Sequence, residues 1–231
     1  MRAIDVLQEL NEVDKNNIFS CGLSWGGFVQ LLLSSIDTRI KAASVIYSSA
    51  FVEQSEWGQI KLAGLEKDED KKLWIDYVEP HNYLHDITHP IFFTAGTDDV
   101  AFKMESRRKT AESIPATTYF GLRKNFPHGN FIGFEQIETA QFFMNCVEGK
   151  RIPQPTANII GDKIKIIAAE KTSCLRLCYT KDNVENTDKQ AWEEISICDG
   201  DLLPIPTDTT AFFIVEITVD GLQFSSNMIR I

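Results

Sequence analysis

A serine, an aspartate and a histidine stand in that order at positions 24, 99 and 128, separated by 75 and 29 residues. A serine hydroxyl is a poor nucleophile until a base accepts its proton. Imidazole does that near neutral pH, and a carboxylate fixes its tautomer and stabilises the imidazolium. Ser24 lies in Gly22-Leu23-Ser24-Trp25-Gly26, a G-x-S-x-G pentapeptide. Asp99 closes Gly96-Thr97-Asp98-Asp99, and His128 sits in Pro127-His128-Gly129. Each residue also has a purely structural reading. Ser24 could cap the helix after it, Asp98 or Asp99 could close an Asx turn, and His128 could be a loop histidine.

The elements around the three residues are what give their order meaning. Ile18, Phe19 and Cys21 form an apolar run that reads as a buried strand, and Phe28, Leu31, Leu32 and Ser35 make the inner stripe of a helix directly after Ser24. Strand, tight turn and helix is the context in which G-x-S-x-G is informative. A serine in a strained turn needs neighbours without side chains two positions away, and Gly27 lets the helix approach the sheet. Ala42–Tyr47, Ile91–Ala95 and Thr117–Leu122 read as further strands, with a short helix over residues 2–10 and another over Lys103–Ile114. This alternation predicts an α/β fold with a mostly parallel sheet. Ser24, Asp99 and His128 then follow strands whose carboxyl ends share one edge. Gly133–Val147 reads as one helix with Phe134, Ile137, Phe142 and Val147 inward.

Residues 48–87 interrupt the alternation. Trp57, Leu62, Leu65, Leu73, Trp74 and Tyr77 can bury one side of a helical excursion, and Glu66–Lys72 (EKDEDKK) reads as a solvated face. Such an excursion either covers the site or covers the end of the sheet. His81, His85 and His89 are spaced four apart, but Pro80 and Pro90 bracket them and deny them a shared helical face, so no metal is expected there. Glu148–Thr156 carries two prolines and a glycine, and is placed as the boundary between a domain over 1–150 and a small all-β sandwich, immunoglobulin- or fibronectin-like, over 157–231. There the period drops to two, with strands expected at Lys163–Ala168, Cys174–Tyr179, Trp192–Ile197, Ala211–Val219 and Leu222–Ile231.

The totals exclude several classes. The 231 residues carry 33 acidic against 23 basic side chains, a net charge of -10 that is shared between both parts, so no basic surface for nucleic acid is expected. No apolar run is long enough to span a membrane. Five scattered cysteines read as thiols, which fits a cytoplasmic, reducing setting, whereas a signal peptide upstream of this start would mean export.

Residues 1–150 resemble the C-terminal two-thirds of an α/β-hydrolase, in the branch of dienelactone hydrolases, acetylxylan esterases and acyl-peptidases. The resemblance is carried by RAIDVLQELNEVDKNNIFSCGLSWGG, by YLHDITHPIFFTAGTDD and by FPHG. It implies Ser24 as nucleophile, Asp99 rather than Asp98 as the acid, His128 as base and the Trp25 N–H as an oxyanion donor. It implies hydrolysis of a carboxylic ester of a small molecule or carbohydrate, an acetyl ester among them, without metal or organic cofactor. Peptide hydrolysis by the same mechanism and a non-catalytic interaction chain are the alternatives. The resemblance also has a gap: about four strands and a second oxyanion loop precede the nucleophile strand in that fold, and this sequence reaches that strand after 17 residues. An incomplete fold of this kind is expected to be completed by a missing N-terminal segment or to self-associate through the open strand edge.

Overall fold

A computed structural model describes residues 2–65, 67–170, 172–185 and 190–231. Helix α1 (Arg2–Glu9) leads into β1 (Phe19–Leu23), α2 (Trp25–Ile36) and β2 (Ala42–Ile46). Helices α3 (Glu56–Ala63) and α4 (Asp68–Tyr77) and three short 3-10 turns fill the excursion before β3 (Ile91–Asp98). Then come α5 (Met104–Glu112), β4 (Thr118–Pro127), α6 (Asn130–Phe134) and α7 (Ile137–Glu148). Strands β1, β2, β3 and β4 pair in parallel in that order, so the fold is α/β with a mostly parallel nucleus. β2 is buried along its whole length, as a parallel strand covered on both faces must be. β1 lies at the edge of the sheet.

The rest is β-structure: β5 (Thr156–Ile160), β6 (Lys163–Ile167), β7 (Thr172–Thr180), β8 (Trp192–Ile197), β9 (Leu202–Pro204), β10 (Ala211–Thr218), β11 (Gln223–Ser225) and β12 (Ile229–Arg230). The expected strand over 222–231 is two short ones, because Ser226 and Asn227 turn the chain between them: the Ser226 hydroxyl donates to the Asn227 carbonyl. β5 and β9 carry no alternating apolar pattern strong enough to predict them. Sheet pairing runs β1-β2-β3-β4-β11-β10-β7-β8 without a break, since Ser225 of β11 pairs with Phe120 of β4. The Ser225 hydroxyl accepts the Leu122 N–H at 2.8 Å and reinforces that junction. β5, β6 and β9 form a second, three-stranded sheet. It packs Ile164 and Ile166 against Leu175, Leu177, Phe212 and Ile214. The opposite face of β10 presents Phe213 and Val215 to the core that also holds Phe93, Phe120 and Met104.

Three expectations about faces are corrected. Phe134, Ile137 and Val147 are 68%, 63% and 46% exposed, and Phe142 alone of that set is buried. The helix is broken at Glu135–Gln136, and the buried stripe of α7 is Glu138, Phe142 and Asn145. Its inner face is polar because Glu138 accepts hydrogen bonds from the Gln223 N–H and pairs with Arg123, both at 2.8 Å. In α2 the buried set is Gly27, Phe28, Gln30, Leu31 and Ser34, with Leu32 and Ser35 half-buried. In the excursion Leu62 is buried, Leu65 and Trp74 are half-buried, and Leu73 and Tyr77 are exposed. The side chain of Trp57 and residue Glu66 lie outside the described set.

Candidate active site

Ser24 occupies the turn between β1 and α2 with φ 56° and ψ -121°, a conformation that a non-glycine residue adopts only when its surroundings impose it. Gly22 explains how the chain gets there. A Cβ at Gly22 would stand 2.2 Å from the Gly26 carbonyl oxygen, so only glycine fits. Gly26 itself faces open space, contrary to the expectation that both flanking positions are closed, while a Cβ at Gly27 would meet the Ser48 Cβ at 2.5 Å. The Ser24 hydroxyl makes no capping bond to α2. It lies 2.8 Å from His128 Nε2 instead.

His128 follows directly on β4, and its Nδ1 donates to Asp99 Oδ1 at 3.0 Å. That donor fixes the neutral tautomer in which Nε2 is free to accept from Ser24. Asp99 is 4% exposed and follows directly on β3. Its Oδ1 also accepts the N–H groups of Ala101 at 2.9 Å and Phe102 at 3.0 Å, so the carboxylate closes a turn and holds the imidazole at once. Asp98, by contrast, is exposed and accepts from its neighbour Thr97 Oγ1. The three sequence-derived residues thus meet at the carboxyl ends of β1, β3 and β4. Trp25, the fourth, is the first residue of α2.

Three further side chains shape this site and carried no legible signal in the sequence. Arg107 of α5 is fully buried, and its guanidinium reaches Asp99 Oδ2 at 3.2 Å and the Phe102 carbonyl at 3.2 Å. Burial pushes the Arg107 pKa down and the Asp99 charge opposes this. Tyr47 lies with its ring 5.1 Å from that of His128, and burial, then the Asp99 charge, pushes its phenol up to about 12. Phe102 also stacks on the imidazole, with ring centroids 6.1 Å apart. Two aromatic rings and a buried ion pair therefore hold the histidine and its carboxylate in place.

The three spaced histidines have separate partners. His81 Nδ1 lies 2.7 Å from Glu79, His85 is exposed beside Asp86, and His89 Nε2 lies 3.1 Å from the Ser34 hydroxyl. Among the described residues, Glu53, Glu79 and His81 bring ligand atoms within 4.8 Å of one another and could hold a metal ion. Glu79 already accepts the Val52 and His81 N–H groups, which ties the excursion together without one.

Burial lowers the His89 pKa to about 4. The unfolded chain takes up a proton as pH falls through about 6.5, and the fold resists it until near 4. Stability is therefore complete above pH 6.5 and falls by up to about 3 kcal/mol as pH drops toward 4. Urea unfolding at pH 7 and pH 4.5 should show this loss in the natural sequence and a smaller loss in His89→Gln. Equal losses in both would assign the pH dependence elsewhere.

A search of curated proteins by sequence finds no match. Solved structures share the fold. A 2,6-dihydroxy-pseudo-oxynicotine hydrolase superposes with a TM-score of 0.53 at 20% identity, covering 65% of this chain and 46% of that one. An acetyl xylan esterase from Paenibacillus sp. R4 gives 0.53 at 16% identity, covering 62% and 49%. A puromycin hydrolase gives 0.55 at 12% identity, covering 64% and 24%. The chain spans half or less of the length of these structures. The sequence profile of the dienelactone hydrolase family matches residues 1–119, more than half of the chain, including the Ser24 turn and Asp99. The chain belongs to the dienelactone hydrolase family.

Proposed function

We propose that this chain is a serine hydrolase of carboxylic esters, acting on a small-molecule or carbohydrate ester with Ser24, His128 and Asp99 as its catalytic residues. The observation that carries the reading is the unbroken hydrogen-bonded line from Ser24 Oγ to His128 Nε2 and from His128 Nδ1 to Asp99, at 2.8 and 3.0 Å. Ser24 Oγ attacks the ester carbonyl carbon and its proton passes to His128 Nε2. The tetrahedral intermediate, with its oxyanion held by the Trp25 N–H at the start of α2, expels the alkoxide, which takes that proton. Water then loses a proton to the same nitrogen and cleaves the acyl-serine, and the departing Ser24 Oγ takes that proton back, so that ester and water yield acid and alcohol. Membership of a hydrolase family supports the reaction class.

Incubation with a fluorophosphonate probe tests the reading, because only an activated serine labels quickly. A panel of acetyl esters and aminoacyl amides separates ester from peptide hydrolysis. Absence of both labelling and turnover would favour the non-catalytic interaction chain. The acid is tested separately. Asp99→Asn should lower kcat by about three to four orders of magnitude, since the amide would favour the wrong imidazole tautomer. Asp98→Asn, at an exposed side chain bonded among the described residues to its neighbour Thr97, should change kcat less than about twofold. The reverse pattern would move the acid by one residue.

A further inference from the structure

Beside the nucleophile lies a small cavity that the three site residues do not use. It holds about 90 Å³ and is lined, among the described residues, by Trp25, Val52, Gly58, Leu62, Leu65 and Trp74, with Lys61 as the one charged group. One wall is an aromatic stack. The rings of Trp25 and Phe28 lie 4.4 Å apart at 7°, and Trp74 continues the stack 5.6 Å from Phe28. Phe28 packs in the same buried cluster as Val52 and Phe102, and Phe102 stacks on the His128 imidazole. The wall therefore runs from the base to the cavity, and Trp25 is the residue next to Ser24. The far larger cavity of this molecule, about 380 Å³, lies instead between the C-terminal end of α7 and the β10–β11 turn, lined by polar groups such as Asn145, Glu170 and Asp220.

We propose, building on the ester-hydrolase reading, that this cavity is the substrate-chain pocket and takes a short unbranched aliphatic chain of the ester. An apolar cavity of roughly 150 Å³ accepts benzene. A 90 Å³ space walled by rings and branched side chains suits a chain of a few carbons better than an aromatic ring, and it is larger than an acetyl methyl needs. The described residues of its lining offer no set of hydrogen-bond donors and acceptors converging as a sugar would require. The excursion over residues 48–87 supplies most of this lining, through α3, α4 and the turn at Val52. That assigns the excursion the role of a specificity wall over the nucleophile.

Two ester series test the proposal, since the chain can enter from the acyl or from the alcohol side. The first is p-nitrophenyl acetate, butyrate and hexanoate, and the second is methyl, butyl and hexyl acetate. In one of them kcat/KM should rise about tenfold on adding the first few methylenes, as apolar burial predicts. Leu62→Phe, which fills the cavity, and Trp74→Ala, which removes a wall, should each collapse that ratio toward one. Two flat series, or a ratio that both variants leave intact, would overturn the pocket. Failure of the parent reading looks different: no fluorophosphonate labelling and no turnover of any ester. In that case tryptophan fluorescence titrated with methyl hexanoate and methyl acetate reads the cavity without chemistry. Tighter binding of the hexanoate, lost in Leu62→Phe, would uphold the pocket, and equal binding would overturn it.

Discussion

Ser24→Ala should abolish fluorophosphonate labelling and lower ester turnover at least a thousandfold, while unfolding with nearly unchanged stability. The two halves of this expectation have separate physical causes. In the proposed reaction loss of Oγ removes the attacking atom, and among the described residues no other hydroxyl is hydrogen-bonded to His128. Removing the nucleophile of an acyl-enzyme mechanism costs as much as about six orders of magnitude in kcat, and what remains comes from binding and oxyanion stabilisation alone. Stability should move by no more than about 0.5 kcal/mol. The serine hydroxyl caps nothing in α2, and alanine inherits the same positive φ that serine bears. The bond lost is a single part-buried one. Intact-mass analysis after probe treatment, paired with urea unfolding, reads both halves. Labelling that persists in Ser24→Ala would place the reactive group elsewhere and remove the basis for the hydrolase reading at this turn. A variant that is inactive but also strongly destabilised would mean that the Ser24–His128 contact holds the sheet edge together, a structural role.

How much of this was legible in the sequence follows the range over which each signal acts. The turn around Ser24 is local: Gly22 must be glycine because of an atom four residues away, and a pentapeptide captures that. The strands of the parallel nucleus are nearly continuous apolar runs and could be read for the same reason. The preference for Asp99 over Asp98 rests on the resemblance, and the two differ in burial, which no local pattern encodes. The pairing of β11 with β4 joins Ser225 to Phe120 across most of the C-terminal half, and a three-residue strand has no period to detect. Phe134 and Ile137 are exposed because apolar spacing does not mark the buried face here: α7 buries a carboxylate that serves β4 and β11. Arg107 was missed for a related reason. An arginine in the charged run Glu105–Lys109 reads as solvent-facing, and only the tertiary fold turns it inward.

Arg107→Leu should be the most destabilising change at the site, costing about 3–5 kcal/mol, or roughly 10 °C in Tm for a chain of this size. Opposing terms decide the sign. Leucine relieves the desolvation of a fully buried guanidinium, whose Nε has no hydrogen-bond partner among the described residues, but gives up the bond from Nη1 to the Met104 sulfur. Against that, it leaves the Asp99 carboxylate, itself 4% exposed, without its cation. Breaking one side of a buried pair costs more than the pair is worth against an apolar replacement of both, because the remaining charge stays desolvated. The N–H groups of Ala101 and Phe102 still reach Asp99 Oδ1, which keeps the loss from being larger. A double-mutant cycle isolates the argument. Asp99→Asn alone strands the guanidinium, whereas Arg107→Leu with Asp99→Asn leaves neither charge, so the double variant should be less destabilised than the sum of the single ones by at least about 1 kcal/mol. Urea unfolding at pH 7 of the four proteins measures the coupling. Additive costs, or an Arg107→Leu cost below about 1 kcal/mol, would mean that water or backbone already screens the Asp99 charge, and that Arg107 is held in place by packing alone.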